Sequence, residues 1–123
     1  MSHFKILIVE DEILTARMLQ RKVEKMNYHV LGPVASGDKA LSIAIEENPS
    51  IVLMDINLLG KKDGINSAKD ICANISTNII FITGYDDKEL KMKAMDIEPA
   101  GYLVKPVNIN QLFKLISKTL TVK

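Results

Sequence analysis

Two unbroken apolar runs, Ile51-Val52-Leu53-Met54 and Ile79-Ile80-Phe81-Ile82, constrain the fold more than any other feature of this chain. A strand with one wet face alternates apolar and polar residues, and a buried helix needs a longer stretch. A short, wholly apolar run without alternation predicts a strand covered on both faces, as in the middle of a parallel sheet. The first run stops at a carboxylate, Asp55, and the second at a hydroxyl, Thr83. Burying an unpaired charge costs on the order of several kcal/mol, so Asp55 belongs at the open end of its strand or beside a partner. In open α/β sheets that end is where ligands bind.

The remaining chain supplies the partners of these strands. Phe4 to Val9 reads as a first buried strand, broken only by Lys5, and it ends in Glu10-Asp11-Glu12. Ala16, Leu19, Val23 and Met26 then recur at helical spacing. His29 to Ala35 reads as a second strand interrupted by Gly32-Pro33, and proline confines it to a sheet edge. Ser36 suits the cap of a helix carrying Ala40, Leu41, Ala44 and Ile45, closed by Asn48-Pro49. After the Ile51–Met54 strand, Leu58 to Gly64 reads as a loop, and Ile65, Ala68, Ile71, Cys72 and Ile75 form a third helical stripe. Asp86 or Asp87 caps a fourth helix with Leu90, Ala94 and Ile97 on its inner face. Ala100 to Val104 is a short fifth strand. Asn108 and Gln111 resemble a capping box before a last helix carrying Ile109, Leu112, Phe113, Ile116 and Leu120.

Five strand-helix repeats without a linker predict an α/β fold with helices on both faces of a parallel sheet and right-handed crossovers. The flavodoxin-like (βα)5 order 2-1-3-4-5 puts the proline-bearing strand at an edge and both apolar runs inside. Residues 1–123 therefore read as a single domain. An apolar fraction of 47% with 25% charged residues is that of an ordinary globular protein. The net charge of +1 argues against direct nucleic-acid binding. No run is long enough to span a membrane, and the single cysteine fits a reducing cytoplasm.

In the 2-1-3-4-5 order, the carboxyl ends of strands one, three and four bring Glu10-Asp11, Asp55 and Thr83 together, and strand five adds Lys105. Crowded carboxylates repel unless a cation neutralises them. All-oxygen donors of this density suit Mg²⁺ (or Mn²⁺). A lysine and a hydroxyl at the same rim suit the oxygens of an anion. Together these groups describe a phosphoryl site with Asp55 as nucleophile. Neither His3 nor His29 is expected near this rim.

Four segments, Ile-Leu-Ile-Val-Glu10-Asp11-Glu, Val-Leu-Met-Asp55-Ile-Asn57, Ile-Thr83-Gly84-Tyr and Gly-Tyr102-Leu-Val-Lys105-Pro106, fall in order at matching strand ends. In this the chain resembles the receiver domain of two-component response regulators, of the stand-alone CheY-like kind, over about residues 4–121. The resemblance implies that Asp55 accepts a phosphoryl group from a sensor histidine kinase or phosphotransfer protein. It implies direct metal ligation by Asp11 and Asp55, water-mediated ligation by Glu10, and a backbone carbonyl from Asn57. Lys105 would pair with phosphoryl oxygens, Thr83 would swing in to bond them, and Tyr102 would follow as a second switch residue. The Lys105-Pro106 bond is expected to be cis. The fourth-helix, fifth-strand and fifth-helix face would then change for a downstream protein target, the chain being a monomer or a weak phosphorylation-dependent dimer. Gly84 leaves room for a phosphodonor, and Asn57 and Tyr85 flank the phosphoryl position. The loop Leu58-Leu59-Gly60-Lys61-Lys62-Asp63-Gly64 is one residue longer than the commoner receiver spacing and lacks its proline.

Other readings are weaker. A receiver-like interaction module that works without phosphorylation usually lacks an acidic or lysine position, and here all are present. A metal phosphohydrolase often has a second Asp two residues after its nucleophile, where this chain has Asn57, and it needs a cap domain. Neither turnover enzyme nor flavin carrier fits, since a flavin phosphate would meet the acidic loop after the first strand. Glu12 is expected as a solvated first-turn residue, Cys72 as a small core residue, and Lys88, Lys91 and Lys93 as a solvated helix face.

Overall fold

The computed structural model describes residues 4–58, 63–84 and 87–121. Strands β1 (Lys5–Val9), β2 (His29–Val34), β3 (Ile51–Asp55), β4 (Asn78–Thr83) and β5 (Gly101–Val104) alternate with helices α1 (Ile13–Lys25), α2 (Gly37–Glu47), α3 (Gly64–Asn74), α4 (Lys88–Met95) and α5 (Ile109–Thr121). All pairings are parallel, in the order β2-β1-β3-β4-β5. The proline-bearing strand is at the edge, and Gly32-Pro33 is cis, with a register shift between Leu7 and Val9 opposite it. Gly32 sits at φ +84°, a conformation that favours glycine.

The sheet separates two cores. Ile6, Ile8, Ile51, Leu53, Ile80 and Ile82 pack with Leu19 and Val23 of α1 and Leu112 and Ile116 of α5. Leu7, Val9, Val52, Met54, Ile79 and Phe81 pack with α2, α3 and α4 through residues such as Ala40, Ala44, Ala68, Ile71 and Ala94. Because side chains alternate along a strand, both interior runs must be apolar throughout. The same alternation assigns the residues at the open end. Glu10 and Asp55 continue the rows facing α1 and α5, whereas Thr83 continues the row of Ile79 and Phe81.

The helix starts follow the sequence closely. The Ser36 hydroxyl accepts from Lys39 N at 3.3 Å, and Asn48 ends α2 in the left-handed conformation at φ 50°. Of the two acids offered as the α4 cap, Asp87 does it, accepting from Glu89 N and Leu90 N. Asp86 lies outside the described residues, as do His3, Tyr85 and the lengthened stretch Leu59–Lys62. Asn108 Oδ1 accepts from Gln111 N at 3.0 Å, as expected of that capping pair.

Phe4, read as the start of a buried strand, lies before β1 and is 42% exposed, and three core assignments on helices also need correction. Cys72, Ile45 and Phe113 are exposed rather than buried, Ile45 at 53% and Phe113 at 47%. Each lies one residue past a true core position (Ile71, Ala44 and Leu112), about 100° around the helix, so the buried stripe is narrower than the apolar one. Partial burial still pushes the Cys72 thiol up, away from its reactive form.

Candidate functional site

The site is built at the point where β3 runs out. Asp55 is the last residue of β3 and is 3% exposed. Its Oδ1 accepts from Asn57 N at 3.0 Å, and its Oδ2 lies 3.6 Å from Lys105 Nζ. The chain leaving β3 is fixed to its neighbours, since Ile56 N donates to Ile82 O and Gly64 N donates to Ile56 O. The latter bond brings the start of α3 against Asp55. A Cβ on Gly64 would collide with the Asp55 carbonyl oxygen and Ile56 Cα, so only glycine permits this approach. Asp63 completes the turn by capping α3 through Asn66 N at 2.8 Å.

Glu10 and Asp11 arrive from β1. One carboxylate oxygen from each of Glu10, Asp11 and Asp55 lies within 4.8 Å of the others. Glu10 is 3% exposed, and burial raises its pKa to about 7, with Lys105 opposing the shift and Asp55 reinforcing it. Lys105, carried just past β5, touches Glu10 Oε1 at 2.8 Å and Glu12 Oε1 at 2.9 Å. Burial works against its charge, but the bonds to Glu10 and Glu12 hold the ammonium well above the usual lysine range. The Lys105-Pro106 peptide is cis.

Glu12 is solvated as expected, its side chain 64% exposed, but it also makes a contact that the sequence does not predict. It is the extended N-cap of α1, not a first-turn residue, and its carboxylate reaches across to Lys105. Its backbone N–H meanwhile donates to Glu10 Oε2 at 3.1 Å. The only available signal was adjacency to Glu10-Asp11, which does not reveal a partner as distant in sequence as Lys105.

Thr83, fully buried at the end of β4, donates its hydroxyl to Asn57 Oδ1 at 2.8 Å. Its carbonyl accepts from Lys105 N at 2.7 Å, tying the β4 and β5 ends together. Tyr102 pairs with Phe81 in register and packs against the α2–α4 core with its hydroxyl buried. Lys91 Nζ of α4 lies 5.5 Å from the centre of the Tyr102 ring, a contact absent from a purely solvated reading of that helix face. His29 begins β2, at the opposite end of the sheet.

A buried acid crowded against two others and one lysine is the arrangement that a divalent cation relieves, and the donors are all hard oxygens. Burial of Glu10, reinforced by the neighbouring Asp55, gives the cation-free protein a pH-dependent stability. Glu10 has a folded pKa of about 7 against an ordinary value of 4.5. The folded state therefore binds this proton more tightly, and the stability it contributes is full below about pH 4.5 and is lost as pH rises through about 7. Urea midpoints measured in a chelator are expected to fall across that window, with a flatter profile in Glu10→Gln. Equal slopes in the two proteins would contradict this assignment.

Comparison with known proteins accords with this geometry. Residues 6–117 match the family described as "Response regulator receiver domain". The chain belongs to this family. Among curated relatives, the Positive alginate biosynthesis regulatory protein of Pseudomonas aeruginosa is 38% identical over 116 residues, covering 92% of this chain and 46% of that protein. The Transcriptional regulatory protein PdtaR of Mycobacterium tuberculosis is 30% identical, covering 91% of this chain and 54% of that protein. The chain thus spans about half the length of these curated relatives. Among solved receivers, the signal receiver domain of a modulated diguanylate cyclase from Desulfovibrio desulfuricans superposes with a TM-score of 0.89 at 38% identity, covering 94% of this chain and 92% of that one. A CheY-like receiver domain protein from Methanospirillum hungatei gives 0.87 at 26% identity, covering 97% and 94%.

Proposed function

We propose that this receiver domain is a phosphoacceptor in a two-component relay, with Asp55 taking a phosphoryl group from the phosphohistidine of a sensor kinase or phosphotransfer protein. An Asp55 oxygen attacks phosphorus, a P–O bond forms as the P–N bond breaks, and the electron pair returns to the donor imidazole, which takes up a proton from solvent. The observation that carries this reading is the convergence of Glu10, Asp11 and Asp55 within 4.8 Å, with Lys105 beside them.

Asp11 and Asp55, with the Asn57 carbonyl and with Glu10 through water, would hold Mg²⁺ (or Mn²⁺). When bound, that cation offsets the charge gathered on the transferring oxygens. Lys105 orients and neutralises the same oxygens from the β5 side, as an ammonium point charge suits. Asn57 N–H keeps the Asp55 carboxyl group in place through the 3.0 Å bond to Oδ1. Gly84 is exposed, and a Cβ there meets nothing within 4 Å, so a donor has space to approach.

The phosphoryl group adds about −1.5 to −2 charge, enough to draw the Thr83 hydroxyl and, through the shared α4 side, Tyr102. The α4, β5 and α5 face then changes for a downstream protein, where Met92 (72% exposed), Val104 and Phe113 already present apolar surface. The domain acts as one unit in the cytoplasm, catalysing only its own phosphorylation and dephosphorylation. Among the described residues no helix is long and apolar enough to cross a membrane.

Incubation with acetyl phosphate tests the proposal. The chain is expected to gain the mass of one phosphoryl group with Mg²⁺ present and none in a chelator. Absence of any gain with Mg²⁺ would overturn it.

A further inference from the structure

The bond from Thr83 Oγ1 to Asn57 Oδ1 has a consequence for switching, on the reading that Asp55 takes the phosphoryl group. A threonine hydroxyl has one proton to donate. While that proton is directed at Asn57 Oδ1, at 2.8 Å, it is not available to an oxygen carried on Asp55. Asn57 also holds Asp55 Oδ1 through its own backbone N–H. One residue therefore grips the phosphoacceptor with its main chain and the hydroxyl at the end of β4 with its side chain. Thr83 is fully buried, so leaving Asn57 exchanges one protein hydrogen bond for another and not for water.

We propose that the Asn57 side chain is a positioning residue that latches Thr83 in the resting arrangement and so sets how much phosphodonor is needed to switch the domain. The latch is separate from any metal ligation by Asn57, which would use the backbone carbonyl that every substitution retains. A net hydrogen bond of ordinary strength in the resting state corresponds to a shift of roughly three- to tenfold in the switching equilibrium.

The test is a titration of the Mg²⁺-bound protein with beryllofluoride, a phosphoryl mimic, followed by the NMR shifts of the residue 83 methyl group and the Tyr102 ring. Asn57→Ala is expected to lower the half-saturating concentration by roughly three- to tenfold. The residue 83 methyl shift of the unmodified variant should also move toward its saturated position. In a Thr83→Val background, where no proton is available to latch, the same substitution should change nothing. In a Thr83→Ser background, which keeps the hydroxyl but not the methyl and is followed through the Tyr102 ring alone, the effect should return. An unchanged half-saturation in Asn57→Ala, or an equal change in the Thr83→Val background, would overturn the latch while leaving the phosphoacceptor reading intact. A wild-type protein that binds no beryllofluoride would instead overturn the phosphoacceptor reading, and the latch with it.

Discussion

Gly64→Ala is expected to lower unfolding stability by about 3 kcal/mol or more, and with it phosphoryl uptake at Asp55. The added Cβ would occupy space held by the Asp55 carbonyl oxygen and Ile56 Cα, both main-chain atoms of the β3 exit. Neither can rotate away as the tip of a side chain could. Relief requires α3 to withdraw, which breaks the 2.9 Å bond from Gly64 N to Ile56 O, or the β3 exit to shift, which moves Asp55 relative to Glu10 and Lys105. Either response damages both the fold and the site. Urea denaturation and acetyl phosphate labelling of the same variant measure the two losses together. Gly84→Ala is the control, because its Cβ meets nothing within 4 Å, and its stability is expected within about 0.5 kcal/mol of wild type. A Gly64→Ala protein as stable as the Gly84→Ala control would show that the contact at the β3 exit does not hold the site together.

Lys105→Met is expected to act in opposite directions on stability and on cation binding. The methionine keeps much of the apolar stem and removes the charge that touches Glu10 at 2.8 Å and faces Asp55 at 3.6 Å. In a chelator the acids lose their neutralising partner, and stability at neutral pH should fall by about 1–3 kcal/mol. Saturating Mg²⁺ should recover much of that loss. Affinity for Mg²⁺ should rise by on the order of tenfold, because a competing positive charge has left the cluster. Labelling by acetyl phosphate should nevertheless fall, since nothing then meets the transferring oxygens from the β5 side. Calorimetric Mg²⁺ titration of both proteins decides the sign. Weaker Mg²⁺ binding in Lys105→Met would mean that the lysine supports the cation site instead of standing in for it.

Most of the fold was legible because interior strands of a parallel sheet have few ways to be written. Ile51–Met54 and Ile79–Ile82 had to be central, and Gly32-Pro33 had to be at an edge, and the observed order agrees. The gathering of Glu10, Asp11, Asp55, Thr83 and Lys105 then followed from topology, since each ends or follows a strand at the same rim. The helices were less legible. An apolar residue one step past the buried stripe looks like core until the width of the covered surface is known, hence Cys72, Ile45 and Phe113. Side-chain direction was harder still. Glu12 stays largely in solvent, and its ion pair depends on Lys105, far away in sequence, which nothing local to Glu12 specifies. The bond between Thr83 and Asn57 likewise depends on a side-chain rotamer, which neither strand alternation nor motif spacing specifies.

Asp55 as the bearer of the phosphoryl group is the claim from which the rest descends. It is tested most directly by reducing the Mg²⁺-acetyl phosphate product with borohydride and mapping the modified residue by peptide mass spectrometry. The modification is expected on Asp55 alone, and Asp55→Asn is expected to carry none under the same treatment. A phosphoryl group mapped to another residue, or undiminished labelling of Asp55→Asn, would contradict the account.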